Sequence, residues 1–218
     1  MMATPRSALA AVALVAGFLA VDTSAALGPE EAILPIESYA AADARALAET
    51  HAGELRQLYA DFRRCSPDLG LERHGIAFRR PRGASGGVPS LTLWAWLDGD
   101  PPPGPDLAAR AAYAFSRHGH ALFRRLVGRS RVFGDPRVGG YGVILTWLRP
   151  VPSGGGKIVG ESLAVFTDKV TTANFVHETI GPATFLGRAE VRGFDGQTEV
   201  GVPRLIVAEE RAGVRPAC

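Results

Sequence analysis

Two stretches of this chain end in nearly the same word: Leu126-Val127-Gly128-Arg129-Ser130-Arg131-Val132 and Phe185-Leu186-Gly187-Arg188-Ala189-Glu190-Val191. The material before each word also matches. The first copy opens His74-Gly75-Ile76-Ala77-Phe78, passes a Pro/Gly turn over 81–87 and resumes Ser90-Leu91-Thr92-Leu93-Trp94. The second opens Tyr141-Gly142-Val143-Ile144-Leu145, passes 150–156 and resumes Ser162-Leu163-Ala164-Val165-Phe166. Three anchors in one order point to an internal duplication, with unit one over 74–134 and unit two over 141–194. Two unrelated hairpins that share turn chemistry are the competing explanation.

Each unit reads strand, strand, helix, strand. Asp106 and Asp168 stand where a helix N-cap belongs, and Pro101-Pro102-Pro103 blocks helix before the first of them. Gly128 and Gly187 stand where a helix end favours a left-handed residue. Residues 143–148 are apolar on both faces apart from Thr146, which predicts a central strand. A last strand is expected over 204–208, within a C-terminal strand-and-tail segment spanning 195–218. Ahead of the units, Ala44, Leu47, Leu55, Leu58 and Phe62 form one stripe and predict a single long helix over 38–64. The fold class expected is α+β: a mostly antiparallel sheet with helices on one face, built from the duplicated strand-strand-helix-strand unit and preceded by the long helix.

The first 26 residues carry Arg6, then an apolar run short of bilayer length, then Thr23-Ser24-Ala25-Ala26. That is the pattern of a signal peptide over 1–26, which leaves 27–218 as one exported α+β domain, periplasmic or secreted. No later apolar run approaches bilayer length, so no membrane span is expected. A hydrophobic content of 46% and a charged content of 21% are those of a globular chain. A net charge of +2 is too mild to imply a nucleic acid partner. The only lysines are Lys157 and Lys169, and the arginine bias reads as GC-rich bacterial coding. Cys65 and Cys218 are expected to pair, since oxidising compartments favour a bridge; free or intermolecular thiols are the alternative.

The sequence carries no recognisable catalytic pattern. No G-x-S-x-G surrounds a serine, and Ser153-Gly154-Gly155-Gly156-Lys157 lacks the first glycine and the hydroxyl residue of a phosphate loop. His118-Gly119-His120 cannot share a metal ion on a helix, where residues two apart diverge by about 200°. No metal or cofactor is expected. Asp98-Gly99-Asp100 and Glu209-Glu210 read as solvated acids. His51 and His118 fall on apolar helix stripes and are candidate pocket histidines, or else hydrogen-bonded core histidines.

One constellation remains. Residues 107–134 contain no acid, and Arg110, Tyr113, Arg117, His120 and Arg124 share one face of an ideal helix. That face is a candidate anion-binding surface for an anionic surface, an acidic glycan or another exported protein. A solvated face in an arginine-rich chain is the plainer reading. The function expected is an exported, non-catalytic binding or assembly accessory. The alternative is an exported hydrolase or metal-binding protein that uses histidines and carboxylates gathered by the fold.

Overall fold

Strand β1 (Leu69–Arg79) runs antiparallel to β2 (Leu91–Gly99), and β3 (Val138–Pro150) runs antiparallel to β4 (Ile158–Asp168). The two hairpins join side by side through β2 and β3, which are parallel, with Ala95 opposite Val143. Strands β5 (Glu190–Asp195) and β6 (Thr198–Val200) extend the β4 edge, again antiparallel. The result is a six-stranded mixed sheet in the order β1-β2-β3-β4-β5-β6. The computed structural model describes residues 27–80, 91–150, 158–196, 198–201 and 205–207.

Alternation along the strands decides where the core lies. Leu93, Ala95 and Leu97 of β2 and Tyr141, Val143, Leu145 and Trp147 of β3 are buried on one face. They pack there with Leu47, Leu55, Leu58, Phe62, Phe115, Leu122, Phe123, Phe175 and Phe185 from the helices. The other face carries a smaller cluster of Ile144, Ala164 and Phe166 with Trp94 and Phe194, and contains no helix residue. The molecule is α+β, with its helices gathered on one side of the sheet.

The helices are α1 (Pro29–Ala32), α2 (Ala42–Thr50), α3 (Ala52–Cys65), α4 (Leu107–Ala114), α5 (His120–Val127), α6 (Ser130–Gly134), α7 (Lys169–Val176) and α8 (Pro182–Arg188). Residues Phe115–Gly119 join α4 to α5 as a π-helical bulge. The two N-cap expectations hold: the side chains of Asp106 and Asp168 accept from the backbone N–H of Ala109 and Thr171, each at 2.8 Å.

Several expectations are corrected. The long helix over 38–64 is two helices: His51, at φ −108° and ψ 19°, ends α2 and caps α3. Its imidazole is drawn inward to Asp135 rather than along the helix stripe. Ser38 closes a 3-10 turn instead of opening a helix. Unit one does not end in a strand, because Val132 is buried within α6. The chain must instead cross the helical layer to bring β3 in parallel to β2, whereas β5 returns antiparallel to β4. Gly128 has φ −61°, an ordinary right-handed value, and Gly187 lies inside α8. Among the described residues the sheet ends at β6; residues 205–207, the described part of the strand expected over 204–208, form no strand. The signal peptide over 1–26 and Cys218 lie outside the described residues.

Candidate functional site

A pocket of about 100 Å3 opens beyond the end of β2. Its lining comes from four places: Asp68 in the turn after α3, Asp100 and Pro101-Pro102-Pro103 after β2, Tyr113, Arg117 and His118 around the π bulge, and Thr146 with Trp147 from β3.

The bulge places the three helical residues. A π turn inserts one extra residue, so side chains beyond it are rotated out of phase with those before it. It closes tightly at Gly119, where a Cβ would stand 2.8 Å from the ring of Phe115. Arg117 then reaches Asp68, with Nη2 donating to Oδ2 at 3.2 Å. Hydrogen bonds with Tyr113 and Asp68 raise the Arg117 guanidinium above its ordinary value, so it stays charged.

The far wall is held by a buried ionic network. Arg110, only 7% exposed, donates through Nε and Nη2 to the two carboxylate oxygens of Glu161, each at 2.7 Å. Its Nη1 donates to the Gly104 carbonyl at 2.8 Å and so ties down the end of the proline wall. Gly104 has φ +149°, and a Cβ there would stand 2.9 Å from the Arg110 backbone nitrogen, so the turn needs glycine. Glu161, 2% exposed, also accepts from Trp147 Nε1 at 2.8 Å and from Arg149 Nε at 2.6 Å. Burial alone would push the Glu161 carboxyl up. Hydrogen bonds from Arg110, Trp147 and Arg149 outweigh burial and hold it below its ordinary value. This bidentate geometry fixes the tryptophan and the proline wall relative to each other.

The single basic face expected from sequence does not form. Arg110 points into the protein, and Arg117 turns to Asp68 with Tyr113 beside it. His120 packs edge-on against Phe175, ring centroids 5.2 Å apart; its Nε2 is buried with no hydrogen-bond partner among the described residues. Arg124 is exposed, as expected of a surface cation. The acids missing from 107–134 are supplied by other elements. Arg129 donates to Asp61 at 2.7 Å and to Gln57 at 3.1 Å, Arg131 lies 3.8 Å from Glu54, and Arg125 donates to the Cys65 carbonyl at 2.6 Å. The end of the basic run, Arg125, Arg129 and Arg131, thus faces α3, while Arg110 and Arg117 find their acids elsewhere.

The two candidate pocket histidines are also separated. His118 lines the pocket and His51 does not. His51 is buried, with Nε2 3.0 Å from Asp135 Oδ2. Arg137 donates to Asp135 from its side chain and its backbone N–H. Those bonds chiefly, with a further contribution from His51, hold the Asp135 carboxyl well below the usual carboxylate range against the opposing effect of burial. Lys169 donates to the carbonyls of Phe133 and Asp135 and closes the same corner. No group of three or more His, Cys, Asp or Glu side chains able to hold a metal ion occurs among the described residues. No helix there is long and apolar enough to cross a membrane.

Sequence reasoning missed Asp68, Asp100, Trp147 and Glu161. Asp98 and Asp100 are both exposed, as solvated acids are, and they serve different surroundings. Asp100 lines the pocket, while the charge of Asp98, after burial, helps push the Glu72 carboxyl up. The one signal available was the acid-free run 107–134, which implied distant acidic partners without naming them. Compared with known proteins, the chain matches no family model, no curated protein and no solved structure.

Proposed function

We propose that this chain is an exported, non-catalytic binding or assembly accessory protein, and that the pocket beyond β2 is its recognition site. One observation carries the reading: Asp68, Asp100, Tyr113 and Arg117 converge on a pocket whose walls are braced by the Arg110–Glu161 pair. Ligand sites combine a concave surface with a few oriented polar groups; here the buried network braces the Trp147 and proline walls and Asp68 orients Arg117. The arrangement supports binding over hydrolysis or metal chemistry, because His51, His118 and His120 lie in three different surroundings. An acidic glycan or anionic surface loses its main support, since most of the arginines that would meet it face protein acids instead.

The test is a titration of isotopically labelled protein with a panel of small polar metabolites, followed by NMR. Shifts are expected at Asp100, Tyr113 and Arg117. A panel that perturbs none of these resonances overturns the pocket reading. Export predicts a mature chain beginning near Ala26 or Leu27. Intact-mass measurement of the exported protein checks this, and uncut chain in the soluble cytoplasmic fraction would refute it.

The duplication also belongs to this proposal. Each hairpin is followed by a helix capped by an aspartate, Asp106 or Asp168, which supports a common ancestral unit over 74–134 and 141–194. Divergence after duplication then accounts for the different return of the last segment.

A further inference from the structure

Building on the pocket reading, we propose that the ligand is a small zwitterion of the α-amino-acid class, its carboxylate on Arg117 and its ammonium on Asp100. Size is the first argument. About 100 Å3 is well below the 300 Å3 at which ordinary ligand sites begin, so the pocket is matched to a small molecule rather than to a nucleotide or other cofactor-sized one.

Charge is the second argument. Both signs are present on the lining, and they are not equally engaged. Arg117 places one Nη2 contact on Asp68 at 3.2 Å and shares a hydrogen bond with Tyr113. A guanidinium carries five N–H donors in a planar fork, so donors remain for a carboxylate. Asp100 makes no ion pair with any described residue, yet it lines the same pocket. A lone anion would meet two carboxylates there, and a lone cation would leave the remaining Arg117 donors unused. A ligand carrying both charges meets both.

The walls give the third argument. The backbone of Pro101-Pro102-Pro103 offers no N–H, and Leu69, Ala114 and Leu145 are apolar, so polar contacts come from the charged residues together with the Tyr113, His118 and Thr146 side chains. A compact ligand with charges close together and a small apolar substituent suits that distribution.

The experiment uses the mature protein and three probes, L-alanine and two forms that each lack one of its charges, N-acetyl-L-alanine and L-alaninamide, each titrated by NMR and calorimetry. L-alanine is expected to bind at least tenfold tighter than either blocked form. Arg117→Gln should erase the preference over alaninamide, and Asp100→Asn the preference over acetylalanine. Both side chains are solvent-accessible, so each variant is first checked for the wild-type melting temperature. Alaninamide binding as well as alanine would show a simple amine site and overturn the zwitterion. So would acetylalanine binding as well as alanine, or pocket shifts from other metabolites in the panel without any from amino acids. Absence of shifts from every compound overturns the pocket reading itself, which keeps the two failures distinct.

Discussion

Glu161 is where a single side chain matters most. It accepts four hydrogen bonds, from Arg110 twice and from Trp147 and Arg149, in a setting almost closed to water. Glu161→Gln leaves the buried Arg110 without its counter-charge, and breaking such a pair typically costs about 3–5 kcal/mol. Replacing Arg110 with Met and Glu161 with Leu together should cost less, because no fully buried charge is left unpaired: Arg149, 26% exposed, can turn to solvent, and the remaining loss is the acceptor of the Trp147 indole. Urea unfolding of the two variants checks the contrast. The same carboxyl sets an acid limit. Its folded value lies below the usual 4.5, so the stability it contributes is complete above that value and is lost as pH falls through the depressed folded value. Wild-type stability should therefore decline below about pH 4.5, with Asp135 adding to the decline, and Glu161→Gln should flatten that limb. By contrast, Arg124→Gln on the exposed helix surface should change stability by less than about 0.5 kcal/mol. Grouping Arg110 with Arg124 as equivalent surface cations, natural on an ideal helix, is what the buried network corrects.

Among the elements, the helix from α4 to α5 illustrates which features can be read locally. Its start was legible, because an aspartate N-cap preceded by prolines obeys rules confined to one turn. Its middle was not. The π bulge depends on Phe115 lying against Gly119 while the ring packs near Phe175 and Phe185, contacts made with α7 and α8. Once the phase slips, the face drawn through Arg110, Tyr113, Arg117, His120 and Arg124 no longer exists. Two helical glycines, Gly119 and Gly187, should behave in opposite ways. Gly119→Ala is expected to cost about 1–3 kcal/mol by overpacking against Phe115, despite the better helix propensity of alanine. Gly187→Ala meets no atom within 4 Å and sits inside α8, so it should stabilise by about 0.5–1 kcal/mol. Thermal melts of both variants decide the matter; a stabilised Gly119→Ala would argue against the tight bulge.

For the molecule as a whole, the hairpins and the sidedness of the sheet were legible, since both follow from alternation within a few residues. The site was not, because its partners are far apart in sequence: Arg110 and Glu161 are separated by 51 positions, and Arg117 and Asp68 by 49. Nothing in either neighbourhood announces the other. The expected bridge between Cys65 and Cys218 acts at this same scale. Cys65 closes α3, and its carbonyl accepts from Arg125 of α5, so a covalent tie there would anchor the chain end beside the pocket turn. In the chain-entropy view so long a loop contributes about 4–5 kcal/mol. Non-reducing peptide mapping should recover the linked peptides, and reductant should lower the unfolding midpoint. Two free thiols after oxidative refolding would refute the bridge.

The parallel seam between β2 and β3 has a kinetic consequence. Each hairpin closes over a short connection, but the seam forms only after the chain has passed through α4, α5 and α6, from Gly99 to Val138. Contacts that must wait for so long an excursion pay their loop-closure entropy late, and they slow the rate-limiting step. The two halves of the sheet are therefore expected to order early and separately. Their union in the middle of the sheet, the part most thoroughly buried at the end, is then the last to be won.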